Sequence, residues 1–422
     1  MTQVKYKNAL LFALLLFLAG CKSGKSTSTN WPRFRGPTGD GIAPAGAVIA
    51  DKLDIKTNLK WKVPIPAIGH SSPILWGNHI FLTGQPNRIF AFDACSGKLL
   101  WDKVLDIAPA EPPSADEPPW QPGEYGTAVP TPCTDGECVY AFFGDGVVGC
   151  LDFEGKQVWS KRIITRPQSS YGLASSPILY RDLLIIQVDQ KPDESFEPTK
   201  DRSFIVALHT ADGSQAWRTP RPVRDSWSTP IIVRQDRRDI LLTTAAPLAI
   251  AYEPATGGEL WRVNGLSGDV AASPVWAEGM LYASGDESGK LLAIRCGGIG
   301  ESVKNHEIAW TYDRNMPAAV SPVCDGKLLF QTSAAGTVVA LDVRDGSEKW
   351  SRPLDTCFAS PILAGGKLLL IDEEGIIHIL RAADGTVLQA LPLGEKVTAS
   401  PALLGRRLYV RTAKHLLCME GS

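Results

Sequence analysis

Apolar residues in this chain fall in short runs of four to eight, separated by turn residues. Pro322-Val-Cys-Asp-Gly-Lys-Leu-Leu-Phe330 is typical: a short apolar stretch, an Asp-Gly turn and a second apolar stretch. Next comes Gly336-Thr-Val-Val-Ala-Leu-Asp342, and then Gly346 with Trp350 four residues on. Runs of this length bounded by Gly, Pro and Asp predict strands joined by tight turns. A [Ser/Thr]-Pro dipeptide opens each such unit, at Ser72, Thr131, Ser176, Thr229, Ser273, Ser321, Ser360 and Ser400. The Gly-to-Trp spacing recurs at Gly97/Trp101, Gly155/Trp159, Gly213/Trp217, Gly257/Trp261 and Gly346/Trp350. Trp310 follows an irregular loop, and Gly385/Gln389 keeps the spacing without the Trp.

Four strands per unit at a period of roughly 45 residues is the signature of a β-propeller blade. The eighth unit, residues 401–420, supplies three strands before the chain ends, while Asn58-Leu-Lys-Trp-Lys-Val63 precedes the first Ser-Pro unmatched. The N-terminal strand is therefore expected to complete the last blade, leaving no open sheet edge. The expected fold is all-β: an eight-bladed propeller of four-stranded blades over residues 58–422, closed by an N-terminal strand.

The first 57 residues read differently. Lys5 and Lys7 precede an apolar run from Ala9 to Leu18, followed by Ala19-Gly20-Cys21. A basic start, a short apolar stretch and small residues describe a secretory signal over residues 1–20. Leu18-Ala19-Gly20-Cys21 also resembles the bacterial lipobox, which implies acylation of Cys21 and a lipidated tether and N-terminal segment over residues 21–57. Lys22 in place of Asp favours an outer-membrane lipoprotein facing the periplasm or the cell surface.

Composition narrows the functional classes. Gly 39 and Pro 31 in 422 residues suit many turns, and 44% hydrophobic residues suit a packed core. Lys+Arg 43 against Asp+Glu 45 gives a net charge of −2, which offers no electrostatic basis for nucleic-acid binding. Export also places the cysteines in an oxidising compartment. In Cys133-Thr-Asp-Gly-Glu-Cys138 a two-residue Asp135-Gly136 turn would set Cys133 opposite Cys138. That pairing predicts a hairpin disulfide.

The blade repeats resemble the PQQ-like (quinoprotein-type) β-propeller repeat, with its Ala-x-Asp-x-x-x-Gly-x-x-x-Trp ending. Together with the signal and the lipobox, they look most like the BamB family of outer-membrane assembly lipoproteins. The resemblance implies a blade-docking role for Trp101, Trp159, Trp217, Trp261, Trp310 and Trp350, and not for Gln389. It also implies a non-catalytic scaffold with an envelope protein as partner, and no cofactor. The alternative is a quinoprotein oxidoreductase, PQQ-dependent or degenerate. PQQ-dependent alcohol dehydrogenases carry an adjacent Cys-Cys pair and an acidic calcium site; no Cys-Cys dipeptide occurs here. No catalytic or metal-binding residue is assigned.

Two further patterns have structural readings. Gly144-Asp-Gly146-Val-Val-Gly149 has dinucleotide-loop spacing, but a blade strand follows it where a helix would be needed. The acids Asp93, Asp152 and Asp342 enter Gly-containing turns, and equivalent positions hold Arg295 and Arg381, which suits turn stabilisation and not a ligand ring. The two longest insertions, Asp106–Gly126 and Asp189–Arg202, are expected on one face of the ring. Around the channel mouth there, His70, Tyr125, Tyr171, Trp227 and Phe358 form the expected partner-binding surface.

Overall fold

The computed structural model describes residues 30–107, 121–191, 202–297 and 307–421. Among them, strands form eight antiparallel four-stranded sheets. Seven take their strands in chain order, as in Ile362–Ala364, Lys367–Ile371, Ile376–Arg381 and Val387–Pro392. The eighth combines Ala402–Leu404, Arg407–Arg411 and His415–Glu420 with Leu59–Pro64 as its outermost strand. Trp61 pairs with Cys418 and Val63 with Leu416, so the two ends of the chain close the ring.

Burial follows from this arrangement. Each middle strand is covered on both faces by neighbouring blades, so Leu183–Val188 is buried at every position. Outer strands meet solvent on one side, and Glu259–Asn264 is mostly exposed. The core lies between blades: one apolar cluster joins Ile240 and Leu242 of the fourth to Leu281 and Ile294 of the fifth, and others fill the remaining junctions.

The repeat motif acquires a mechanical meaning here. Ala91, Ala207, Ala251, Ala293 and Ala340 lie opposite Trp101, Trp217, Trp261, Trp310 and Trp350 on the adjacent strand. A small residue opposite each indole leaves it room, and a bulge follows immediately in every pairing. Bulges re-aim side chains. Most of the indoles cover the glycine turn of the next blade: a Cβ on Gly346 would lie 2.6 Å from Trp310, and one on Gly385 2.6 Å from Trp350. Trp101, Trp159, Trp310 and Trp350 also donate Nε1–H to a carbonyl of the next blade, at 2.7–3.0 Å. Trp217 packs on Gly257 with its Nε1 unpaired. Trp261 is buried among fourth- and fifth-blade side chains.

Trp61 joins this series across the closure, covering Gly97 and donating to the Ala94 carbonyl at 3.3 Å. At the equivalent position of the seventh blade, opposite Ile379, stands Gln389. Gln389 instead accepts from Leu53 N–H at 2.6 Å and donates to the Leu53 carbonyl.

The hairpin disulfide is a correction. Cys133 pairs with Tyr140 and Thr134 with Val139, so the connection holds four residues and not two. Asp135 Oδ1 accepts the N–H groups of Glu137 and Cys138, which holds a wider turn around its own side chain and leaves Cys138 two positions from the residue opposite Cys133. Both cysteines are free thiols.

Candidate functional site

The [Ser/Thr]-Pro dipeptides converge on the ring axis. Ser72 N–H donates to Thr131 Oγ1, and the same bond passes through Ser176, Thr229, Ser273, Ser321 and Ser360 to Ser400. Ser400 N–H donates back to Ser72 Oγ at 3.0 Å, completing a circle of eight bonds of 2.8–3.1 Å. Each of these Ser and Thr residues is buried just before its blade's first strand, so its amide would be orphaned at the axis without this acceptor. Sequence reasoning used these residues as period markers and missed the bond. The signal was their uniform hydroxyl.

The circle surrounds a central cavity of ≈ 560 Å³. Residues two positions before each hydroxyl form a second layer, among them His70, Trp227, Phe358 and Thr398. Tyr125 and Tyr171 stand beyond it, so all five aromatic or imidazole positions expected at the mouth line one cavity. His70 Nδ1 lies 2.9 Å from Thr398 Oγ1, and its ring meets Tyr125 edge-on with centroids 5.6 Å apart. Burial, and then the charge of Arg411, lower the His70 pKa, which keeps the ring neutral at pH 7. Arg411 lies outside the lining, donating to Ser71 and to the Thr83 carbonyl.

The aromatic side of the mouth is held from several blades. Trp227 and Tyr171 rings lie 5.1 Å apart at 59°. Trp227 Nε1 donates to the Gly172 carbonyl at 2.8 Å, and Asp225 accepts from Ser170 N–H and Oγ–H. Both neighbours of Tyr171 are therefore fixed while Tyr171 itself stays 44% exposed. Gly123, at the end of the first insertion, packs so closely on the Tyr171–Gly172 peptide that a Cβ there would lie 2.2 Å from it. Residues 108–120 and 192–201, the bulk of both insertions, lie outside the described residues.

Residues not foreseen from the sequence share the lining with the aromatics: Asp269, next to Val270, whose carbonyl accepts the Trp227 N–H at 2.9 Å, with Asp286, Glu287 and Glu124. Burial, then the charges of Asp286 and Asp225, raise the Asp269 pKa. Asp269 sits four positions before a [Ser/Thr]-Pro serine, an offset that could have located it.

The other end of the cavity is lined by Phe34. Its segment crosses the ring: Trp31 exchanges two backbone bonds with Leu75, Thr134 N–H donates to Pro32, Arg35 reaches the Pro322 carbonyl, and Gly41 and Ala43 pair with Leu363. These partners belong to the first, second, sixth and seventh blades, so the segment closes that face as a strap. Nothing in the repeat pattern announces it.

Other sequence features are structural. Gly144–Gly149 forms a strand-to-strand turn, where a Cβ on Gly146 would lie 2.2 Å from the Ile164 carbonyl oxygen. Asp93 and Asp152 accept N–H groups of their own turns. Among the described residues no cluster of His, Cys, Asp or Glu has the geometry to hold a metal ion. Pyrroloquinoline quinone is a polycarboxylate, and the described lining presents four carboxylic residues and no Lys or Arg to it. The cavity does not fit that group. Cys21 and the signal segment lie outside the described residues; no described helix is long and apolar enough to cross a membrane.

Comparison with known proteins gives a consistent family. A family model described as outer membrane protein assembly factor BamB matches residues 52–191 and 201–359. The Bordetella pertussis protein of that name is 21% identical over 78% of this chain and 77% of its own length. The Yersinia pestis protein is 24% identical over 70% and 74%. Among solved structures, BamB from Moraxella catarrhalis superposes with a TM-score of 0.62 at 13% identity, covering 86% of this chain and 99% of that one. Quinohemoprotein alcohol dehydrogenase from Comamonas testosteroni gives 0.69 at 12% identity, covering 94% and 81%. Both structural likenesses speak to the fold alone.

Proposed function

This chain belongs to the BamB family of outer membrane protein assembly factors, and on that premise we propose that it is a non-catalytic, lipid-anchored scaffold that docks an envelope protein through the open face of its ring. The observation that carries this reading is the asymmetry of the two faces. One is closed by the Trp31–Ala43 strap, and the other opens on fixed, partly exposed aromatics. Docking surfaces concentrate their energy in such pre-organised aromatic positions.

The same asymmetry supports one orientation at the membrane. Asn30 accepts the Gly77 N–H at 2.9 Å on the strapped side, where the described chain begins. Eight residues separate it from Cys21, a span of at most about 32 Å when fully extended. Acylated Cys21 would hold the strapped face toward the membrane and leave the mouth facing away from it. Confinement to the surface raises the local concentration of scaffold and partner without new contacts.

The test is photo-crosslinking in the native host from a photoreactive residue at position 171, with a control at the exposed outer-strand position 158. Capture of outer-membrane assembly proteins from 171 and not from 158 is the expected result. Capture of none from either overturns the scaffold reading. Stoichiometric quinone binding by the purified chain would favour the oxidoreductase instead.

A further inference from the structure

The cavity behind the mouth has a chemistry of its own. Phe34 lines it at the strapped end, and His70, Tyr125 and Tyr171 line it toward the mouth. At ≈ 560 Å³ it has the size of a small-ligand or side-chain pocket and not of a passage for a folded element. Its lining sets carboxylic side chains beside aromatic rings: Asp269 next to the Trp227 segment, and Glu124 next to Tyr125.

We propose that this cavity receives a basic side chain, the lysine or arginine of an extended peptide segment presented by the docked partner. The proposal rests on the scaffold reading for the source of that segment. Charge complementarity selects the ligand class: Glu124, Asp269, Asp286 and Glu287 are the charged residues of the described lining, and all are acidic. His70 is neutral and adds no opposing charge. Arg224 and Lys191 lie near Asp269, but neither belongs to the lining.

The aromatic wall supplies the second half of the recognition. A cation over the face of Trp, Tyr or Phe is attracted by the ring quadrupole, most strongly where water is excluded. The Trp227–Tyr171 pair is already fixed by bonds from Trp227 and Asp225 to the 170–172 loop, so little ordering remains to be done on binding. Asp269 suits the carboxylate role. Its charge is disfavoured by burial and by two neighbouring carboxylates, and a cation placed beside it would offset that cost. Asp286 is held by its own turn, accepting from Ser288 N–H and Oγ–H, which keeps its carboxylate in place.

Fluorescence polarisation of a labelled Gly-Arg-Gly-Arg-Gly peptide against the full chain tests this, with Gly-Glu-Gly-Glu-Gly as control. Saturable one-to-one binding of the arginine peptide alone is expected. Asp269→Asn combined with Glu287→Gln, and separately Tyr171→Ser, should each weaken it about tenfold, a change of about 1.4 kcal/mol. Their melting midpoints should stay at the parent value. Equal affinity for both peptides, or parent affinity in both variants, overturns the cation site. If crosslinking from position 171 captures an assembly protein while the arginine peptide fails to bind, the cation site falls and the scaffold stands. If the peptide binds and no assembly protein is captured, the scaffold falls and the site stands.

Discussion

Ser400 donates its backbone N–H to the Ser72 hydroxyl at 3.0 Å, across 328 positions of sequence. This bond joins the last blade to the first at the axis, as Trp61 over Gly97 joins them farther out. The ring is therefore closed twice, once by a polar circle and once by an indole.

The circle gives a direct expectation. Ser273→Ala leaves the buried Thr229 N–H without its acceptor at 3.0 Å. An unsatisfied buried donor costs about 1–3 kcal/mol. Urea denaturation should show a loss of that size, and Ser273→Thr should restore most of it because the hydroxyl is kept. An unchanged midpoint for Ser273→Ala would mean that water serves the amide equally well.

Blade docking predicts a paired effect. A Cβ on Gly346 would lie 2.6 Å from Trp310, and Gly346 has φ +72, where an L side chain is strained. Gly346→Ala should destabilise by about 1–3 kcal/mol through overpacking. Trp310→Ala should cost about 3–5 kcal/mol. The double variant should lose less than the sum, since the indole that the methyl would strike is gone. Additive losses in a double-mutant cycle would refute the contact.

Stability should also fall in acid at the closing strand. Burial opposes the charge on Glu395, but bonds from Lys62, Thr412 and His415 outweigh it and lower its pKa to about 2 from 4.5. Lys62 lies on the closing strand, 2.7 Å from Glu395. A depressed carboxyl pKa stabilises the fold above its unfolded value and loses that contribution as pH falls through its folded one. The melting midpoint should therefore drop between pH 4.5 and about 2. Glu395→Gln should flatten part of that drop, and an unaltered acid profile in the variant would exclude the latch.

The cysteine correction is checked by alkylation. After denaturation without reductant, iodoacetamide should label both Cys133 and Cys138. In the native protein Cys133 should resist, being buried with its thiol pKa pushed up by that burial. A labelling pattern that needs reductant at both positions would restore the disulfide.

Much of the architecture was legible because it is written locally and repeated. Pro after a hydroxyl residue, Gly before Trp, and Ala opposite that Trp each report a neighbour a few residues or one blade away. The unmatched strand around Trp61 even showed how the ends meet. The Cys133 register was misread for a local reason too: Asp135 bonds two amides of its own turn, and the Asp-Gly dipeptide alone does not reveal which turn will form.

The sequence by itself determined the number of blades, the closing strand and the positions that face the axis, since periodicity and turn chemistry act over short range. It also placed His70, Tyr125, Tyr171, Trp227 and Phe358 near one mouth. Only the tertiary structure decided that Asp269, Asp286 and Glu287 join those rings in one cavity, that the hydroxyls form a closed circle, and that Phe34 lines the far end. These relationships join residues tens to hundreds of positions apart. Their distances are set by how eight sheets pack around an axis, a sum of inter-blade contacts that no single repeat contains.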